Sequence, residues 1–219
     1  GIRDKLVTGV QTCALPISKG DTRFSASPAL DSPEFKLWFR NSKVVDEFGN
    51  PKVQYHGTKV GTIFDEFDTG ANEMGSHFGT QEQAGDFVRP KNLDADNPFA
   101  RALATTNARV YPVYISMQNP LRMVDKGKWS PFQIANRLER LGLLPEGELS
   151  SQIGKLPVGD RKAFFMVQEA LKGLGYDGIV YLNRYEGFGP LNIDERTKKY
   201  ASDEVFKATY QGAQDSYIV

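Results

Sequence analysis

Hydrophobic and polar positions change their period several times along this chain. In "DSPEFKLWFRNS" Phe35, Trp38 and Phe39 recur at helical spacing, behind Ser32 as a cap and Pro33 at the first helical position. That pattern predicts a short helix ending near Asn41. "KVVDEFGNPKVQYH" places two β-branched runs around a Gly-Asn turn signal and predicts a hairpin. "TIFDEFD" alternates apolar and acidic residues, as a short strand or extended loop does, and "GANEMG" reads as a loop. "SHFGT" predicts a brief strand, and "TQEQAGDFVRP" a short helix capped by Thr80 and stopped by Pro90. Residues 91–108 are polar and read as a mobile connection.

The second half is more regular. "ARVYPVYISMQNPLRMV" holds a strand through Val110, Val113 and Ile115, ended by Asn119-Pro120. Trp129 to Gly142 predicts a helix with Ser130 and Pro131 at its start and Phe132, Ile134, Leu138 and Leu141 on adjoining faces. In "GDRKAFFMVQEALKGLG" Phe164, Val167, Leu171 and Leu174 form a core stripe, stopped by Gly173 or Gly175. "DGIVYL" is a strand of the fully buried type, residues 184–212 read as a polar, irregular insertion, and "SYIV" begins a final strand. Short strands with helices inserted between them, and no regular strand–helix alternation, predict an α+β fold with mainly antiparallel pairing.

The chain has 219 residues, 40% of them hydrophobic, enough for one packed core. Lys plus Arg equals Asp plus Glu, so the formal net charge is zero and there is no strong nucleic-acid signal in the sum. No apolar run is long enough to span a membrane. One cysteine excludes an internal disulfide framework, and with two histidines it makes a structural zinc site a poor reading. A cytoplasmic setting is the default.

The leader stands apart. Val7 to Ile17, "VTGVQTCALPI", resembles the conceptual translation of a short-read sequencing adapter. Residues 1–18, with Cys13, are therefore read as an artefactual leader of a gene assembled from metagenomic-type short reads, outside the fold. Residues 19–32 are read as a linker, and residues 33–219 as the domain. The abrupt end in "DSYIV" is read as a domain cut on its C-terminal side.

Two similar corners carry the candidate chemistry. In "VQYHGT" a strand gives way to His56, Gly57 and Thr58; in "GSHFGT" His77 and Phe78 precede a glycine. Glycine after a strand lets backbone approach a ligand, so that a carbonyl and an N–H can pair with an amide. Histidine offers a ring nitrogen to a hydroxyl, and threonine a second hydroxyl. Phe78 or an imidazole can cover a flat heterocycle. Such corners suit a ligand with a carboxamide and a ribose. The plainer alternative is a surface histidine beside a turn and a core phenylalanine. A metal held by the histidine pair has no third ligand at suitable spacing.

Taken in order, "SKVVDEFGNPKVQYHGT", "FDEFD", "GSHFGTQEQA", "VYPVYISMQNPL", "LGYDGIVYLNRYEG" and "DSYIV" resemble the ADP-ribosyltransferase domains of phage and mobile-element polyvalent proteins. The resemblance covers about residues 33–219 and is weak over 90–108 and 188–212. It implies an ADP-ribosyltransferase-like α+β fold and NAD as substrate. It further implies transfer of ADP-ribose to a macromolecular acceptor, a protein in the first instance, with release of nicotinamide in a bacterial host cytoplasm. By the same resemblance His56 binds the adenosine ribose, the Gly57 backbone holds the carboxamide, and His77 faces the nicotinamide ring. His77 stands where the superfamily usually has tyrosine. The superfamily glutamate usually opens the last strand, where this chain has Ser216 beside Asp215; Glu186, in "NRYEG", is the preferred carboxylate and Asp215 the other choice. The implied site is thus His56 and Glu186 for catalysis, with His56, Gly57, Thr58, His77 and Phe78 around NAD and no metal. Two other functions remain open: an NAD-binding module without transferase activity, and a structural or partner-binding segment of a larger phage protein. Trp38 and Trp129 read as core residues and "RTKK" (Arg196 to Lys199) as a solvated surface run.

Overall fold

The computed structural model describes residues 30–59, 75–89, 108–188, 193–210 and 212–219, and the backbone of 10–12. The short strand or extended loop expected at "TIFDEFD", the connection 91–107 and the stop at Pro90 lie outside the described residues.

Two small sheets meet at one point. The first has the order β1 (Val10–Thr12), β4 (Arg109–Ile115), β2 (Gln54–Thr58), all antiparallel. The second has the order β3 (His77–Phe78), β7 (Asp215–Ile218), β6 (Ile179–Leu182), β5 (Leu121–Arg122), antiparallel except for the β5–β6 pair. Tyr55 and Gly79 exchange backbone hydrogen bonds of 2.8 and 3.0 Å and so couple β2 to the end of β3. Between the sheets lie Val44, Phe78, Val113, Ile115, Met117, Val180 and Tyr217, all buried.

The hairpin expected at residues 43–56 needs one correction. Asp46 and Asn50 do close a turn, by an Asp46 N–H to Asn50 carbonyl bond of 2.9 Å, and the Asp46 carboxylate accepts from Phe48 N and Asn50 N. The hairpin stops there, with a single bridge between Val45 and Pro51. Beyond it the second run pairs with β4 instead, where Val113 and Ile115 give it an apolar face to join. The β1 pairing has a related cause: the free edge of β4 presents backbone donors and acceptors that any extended segment can satisfy. Val10 to Thr12, read from sequence as lying outside the fold, occupy that edge.

Helices cover both outer faces. Phe35 and Phe39 of α1 (Pro33–Phe39) pack on Tyr114, with Ser32 capping as expected. The helix α2 (Gln81–Val88) opens with a full capping box, in which Thr80 Oγ1 accepts from Gln83 N and Gln83 Oε1 accepts from Thr80 N. The helices α3 (Pro131–Arg140), α4 (Glu148–Ile153) and α5 (Arg161–Gly173) build the largest core against Leu121, Ile179, Tyr181 and Ile218. In α3 the buried stripe is Ile134, Ala135 and Leu138, whereas Phe132 and Leu141 point outward. In α5 Val167 and Leu171 are buried as predicted, with Phe164 and Leu174 at the margin.

The stretch expected to be irregular is structured where described. It contains α6 (Glu195–Tyr200) and α7 (Asp203–Thr209), whose Phe206 packs with Leu182, Ile193 and Ala213. Its polarity is misleading because Arg184 is fully buried, held by Asp203 at 2.6 Å and by the carbonyls of Lys198 and Ala201 at 2.9 and 2.8 Å. A guanidinium paired with a carboxylate and bonded to two carbonyls can occupy a core position that sequence reading assigns to solvent. None of the described helices is long and apolar enough to cross a membrane.

Candidate functional site

The two histidine corners come together where β2 meets β3. His56 Nδ1 lies 2.8 Å from the backbone carbonyl oxygen of His77. A carbonyl only accepts, so Nδ1 carries the proton, and Nε2 of the neutral ring is an acceptor. Burial lowers the pKa of His56 and outweighs the bond to the carbonyl. Burial, reinforced by His56, brings His77 down to about 4. Both rings are therefore neutral at pH 7 and can accept hydrogen bonds from hydroxyl or amide groups.

Strand parity decides what else shares this place. Residues paired across the second sheet point to the same face. His77 pairs with Ile218, and Ser216 with Tyr181, so His77, Ser216 and Tyr181 share the helix-covered face. Tyr181 is buried and its hydroxyl lies 3.2 Å from His77 Nδ1, while Trp129 packs on its ring at 4.5 Å between centroids. Burial drives the phenol pKa of Tyr181 strongly upward, with Asp125 and Glu186 adding repulsion, so it stays protonated. Asn183, one step beyond β6, joins Ser216 Oγ and Glu186 Oε2, each at 3.1 Å from its Nδ2. A continuous polar run thus leads from His56 through His77 and Tyr181 towards Ser216, Asn183 and Glu186.

Asp215 faces the other way. It alternates with Ser216 and points to the opposite side of the sheet, where Arg122 binds both of its oxygens. Of the two carboxylates considered from sequence, Glu186 is the one beside the histidine face.

Three expected site residues have clear packing partners. Phe78 is 2% exposed and its ring belongs to the core between the sheets, where it backs His56 at 5.4 Å. The expectation that Phe78 stacks on a ligand meets the fact that parity places it opposite His77, inside the core. Thr58 is buried at the end of β2. At Gly57 an added Cβ would lie 2.5 Å from the Ala84 carbonyl oxygen, so its lack of a side chain lets α2 sit against β2.

Tyr181, Asn183 and Gln83 were not singled out by sequence reading. Each was hidden in a segment whose pattern was already explained, Tyr181 in an apolar strand and Gln83 in a helix cap. The available signal was that buried tyrosine hydroxyls and amides need partners. Among the described residues no group of three or more His, Cys, Asp or Glu could hold a metal ion. Trp129 is half-buried against Tyr181 and under Arg137, and Lys198 of the basic run lies over Tyr185.

No curated protein and no solved structure matches the chain. A family model does: it spans residues 46–215 and so takes in both histidine corners, Glu186 and the second sheet up to the first residue of β7. The chain belongs to the family described as ADP-ribosyltransferase in polyvalent proteins.

Proposed function

We propose that this domain cleaves NAD at the bond between nicotinamide and ribose and transfers ADP-ribose to a macromolecular acceptor, a protein in the first instance. The observation that carries the reading is that His56 bonds the backbone of His77, whose ring shares a sheet face with Tyr181 and Ser216, and that Asn183 links that face to the Glu186 loop. Family membership supplies the reaction class.

In this reading His56 Nε2 accepts a hydrogen bond from a hydroxyl of the adenosine ribose. The Gly57 backbone pairs with the carboxamide, with Thr58 beside it, and His77 lies against the nicotinamide. As the glycosidic bond breaks, its electron pair leaves with nicotinamide and positive charge builds on the ribose, as in glycoside hydrolysis. The Glu186 carboxylate accepts a hydrogen bond from the ribose 2′-hydroxyl and stabilises that charge. A fixed charge aimed at such a transition state contributes about 3–4 kcal/mol. The acceptor nucleophile then bonds to the anomeric carbon and its proton is released, which balances NAD plus acceptor against ADP-ribosyl acceptor, nicotinamide and H⁺. Phe78 supports His56 from behind and makes no ligand contact in this reading. The phage or mobile-element setting follows from the polyvalent-protein family, and action in a bacterial host cytoplasm extends that same reading.

The test is nicotinamide release and label transfer from NAD, with the chain compared to His56→Ala and Glu186→Gln. Glu186→Gln is expected to lower release about 10²-fold or more while retaining NAD binding. His56→Ala is expected to weaken NAD binding about 10-fold, the loss of one hydrogen bond. Release unchanged in both variants would sink the proposal; NAD binding with no release in the parent chain would point instead to a binding module.

A further inference from the structure

Glu186 belongs to no strand or helix, and the Asn183 side chain bonds its loop at three points. Asn183 Oδ1 accepts from Tyr185 N at 3.0 Å and from Glu186 N at 2.9 Å. Its Nδ2 donates to Glu186 Oε2 and to Ser216 Oγ, both at 3.1 Å. A primary amide has two donor hydrogens and two acceptor lone pairs. Asn183, 2% exposed, uses all four, three of them on residues 185 and 186. Backbone N–H groups only donate, so the orientation of this amide has one solution.

The network continues into α2. Ser216 Oγ donates to Gln83 Oε1 at 3.0 Å, the atom that also accepts from Thr80 N in the capping box. Gln83 Nε2 donates to the Gln214 carbonyl at 3.1 Å. Asp86, one turn further, accepts from Gly187 N at 2.9 Å. Gly187 has a positive φ of 88°, and a Cβ there would lie 2.7 Å from Gln83 Cγ. The helix that abuts Gly57 and follows directly on His77 and Phe78 thus also grips the loop of Glu186, from both sides of the carboxylate.

We infer that Asn183 is the positioning residue for Glu186, orienting its carboxylate for the ribose hydroxyl and favouring its charged form, with Ser216 and Asp86 anchoring the arrangement to α2. The inference rests on the reading of Glu186 given above. A hydrogen bond donated to a carboxylate favours ionisation. A second carboxylate in the same place would oppose it, because two anions at about 3 Å do not both ionise readily. Positioning is a large lever, since a displacement of about 1 Å can cost about 10²-fold in rate.

The experiment measures nicotinamide release from NAD against pH for the parent chain, Asn183→Asp, Ser216→Ala, Glu186→Gln and the Asn183→Asp/Glu186→Gln double variant. Asn183→Asp keeps the acceptor for the two N–H groups and loses the donor to Glu186. Its expected signature is a kcat lower by about 10²-fold, a KM for NAD within about 2-fold, and an acid limb of the kcat profile moved up by about one pH unit. Ser216→Ala, which leaves the 185–186 contacts in place, is expected to lower kcat less and serves as the test if Asn183→Asp does not fold. The double variant is expected to be no slower than Glu186→Gln. If Glu186→Gln releases nicotinamide like the parent, the reading of Glu186 itself fails. If Glu186→Gln is slow but the folded Asn183 and Ser216 variants keep the parental kcat and acid limb, the positioning role alone is overturned.

Discussion

Asp215 and Ser216 are neighbours in one strand and point to opposite faces of the same sheet: Ser216 meets Asn183 and Gln83, and Asp215 meets Arg122. This alternation separates the two carboxylates that sequence reading left in competition. Asp215→Asn is expected to leave nicotinamide release within about 2-fold of the parent. Its half-exposed ion pair with Arg122 is worth at most about 1 kcal/mol of stability. A loss of release as large as that of Glu186→Gln would reverse the assignment.

Gly57→Ala tests why that glycine is there. The new Cβ would meet the Ala84 carbonyl oxygen at 2.5 Å, and a helix backbone has little room to retreat. Overpacking of this kind costs about 1–3 kcal/mol. Denaturant melts are expected to show that loss with or without NAD; unchanged stability would mean that the β2–α2 contact is looser than described.

His77 predicts a pH dependence with a definite sign. Its folded pKa of about 4 lies below the ordinary histidine value near 6.5. Between about pH 6.5 and about pH 4 the unfolded chain holds a proton on this ring that the folded chain excludes. The stability contributed by neutral His77 is therefore complete above the unfolded value and is lost as pH falls through that window. His56, also lowered, acts in the same sense. Urea midpoints at pH 7 and pH 4.5 are expected to fall further for the parent than for His77→Phe, and equal falls would contradict the burial of His77.

Arg184 makes a stability prediction away from the site. Asp203→Ala would leave a fully buried guanidinium with only the carbonyls of Lys198 and Ala201. Breaking a buried pair from one side costs about 3–5 kcal/mol. Asp203 is partly exposed, so the lower end is expected, read as a lowered thermal midpoint; a near-neutral effect would show that water reaches Arg184 freely.

Helix starts were legible one by one. Ser32, Thr80 and Ser130 each cap the helix expected of them, because a cap is a bond between residues two or three apart and needs no distant partner. The fully buried "IVYL" strand and the α5 stripe were legible for the same local reason. What failed was partner choice. Nothing within "KVVDEFGNPKVQYH" says that its second run prefers β4 to its own first run, and nothing within "NRYEGFG" says that an arginine is core.

The amino-acid order alone therefore settled some short-range matters: the starts of α1, α2 and α3, the strands at β4 and β6, the presence of two histidine corners, and a motif order specific enough to indicate the family. The tertiary structure decided which side chains share a face. Register across β3, β7 and β6 put His77, Tyr181 and Ser216 together, sent Phe78 and Asp215 to the other side, and brought α2 against both Gly57 and the Glu186 loop. Periodicity is a property of each segment by itself, whereas a face is created only when segments distant in the chain pair.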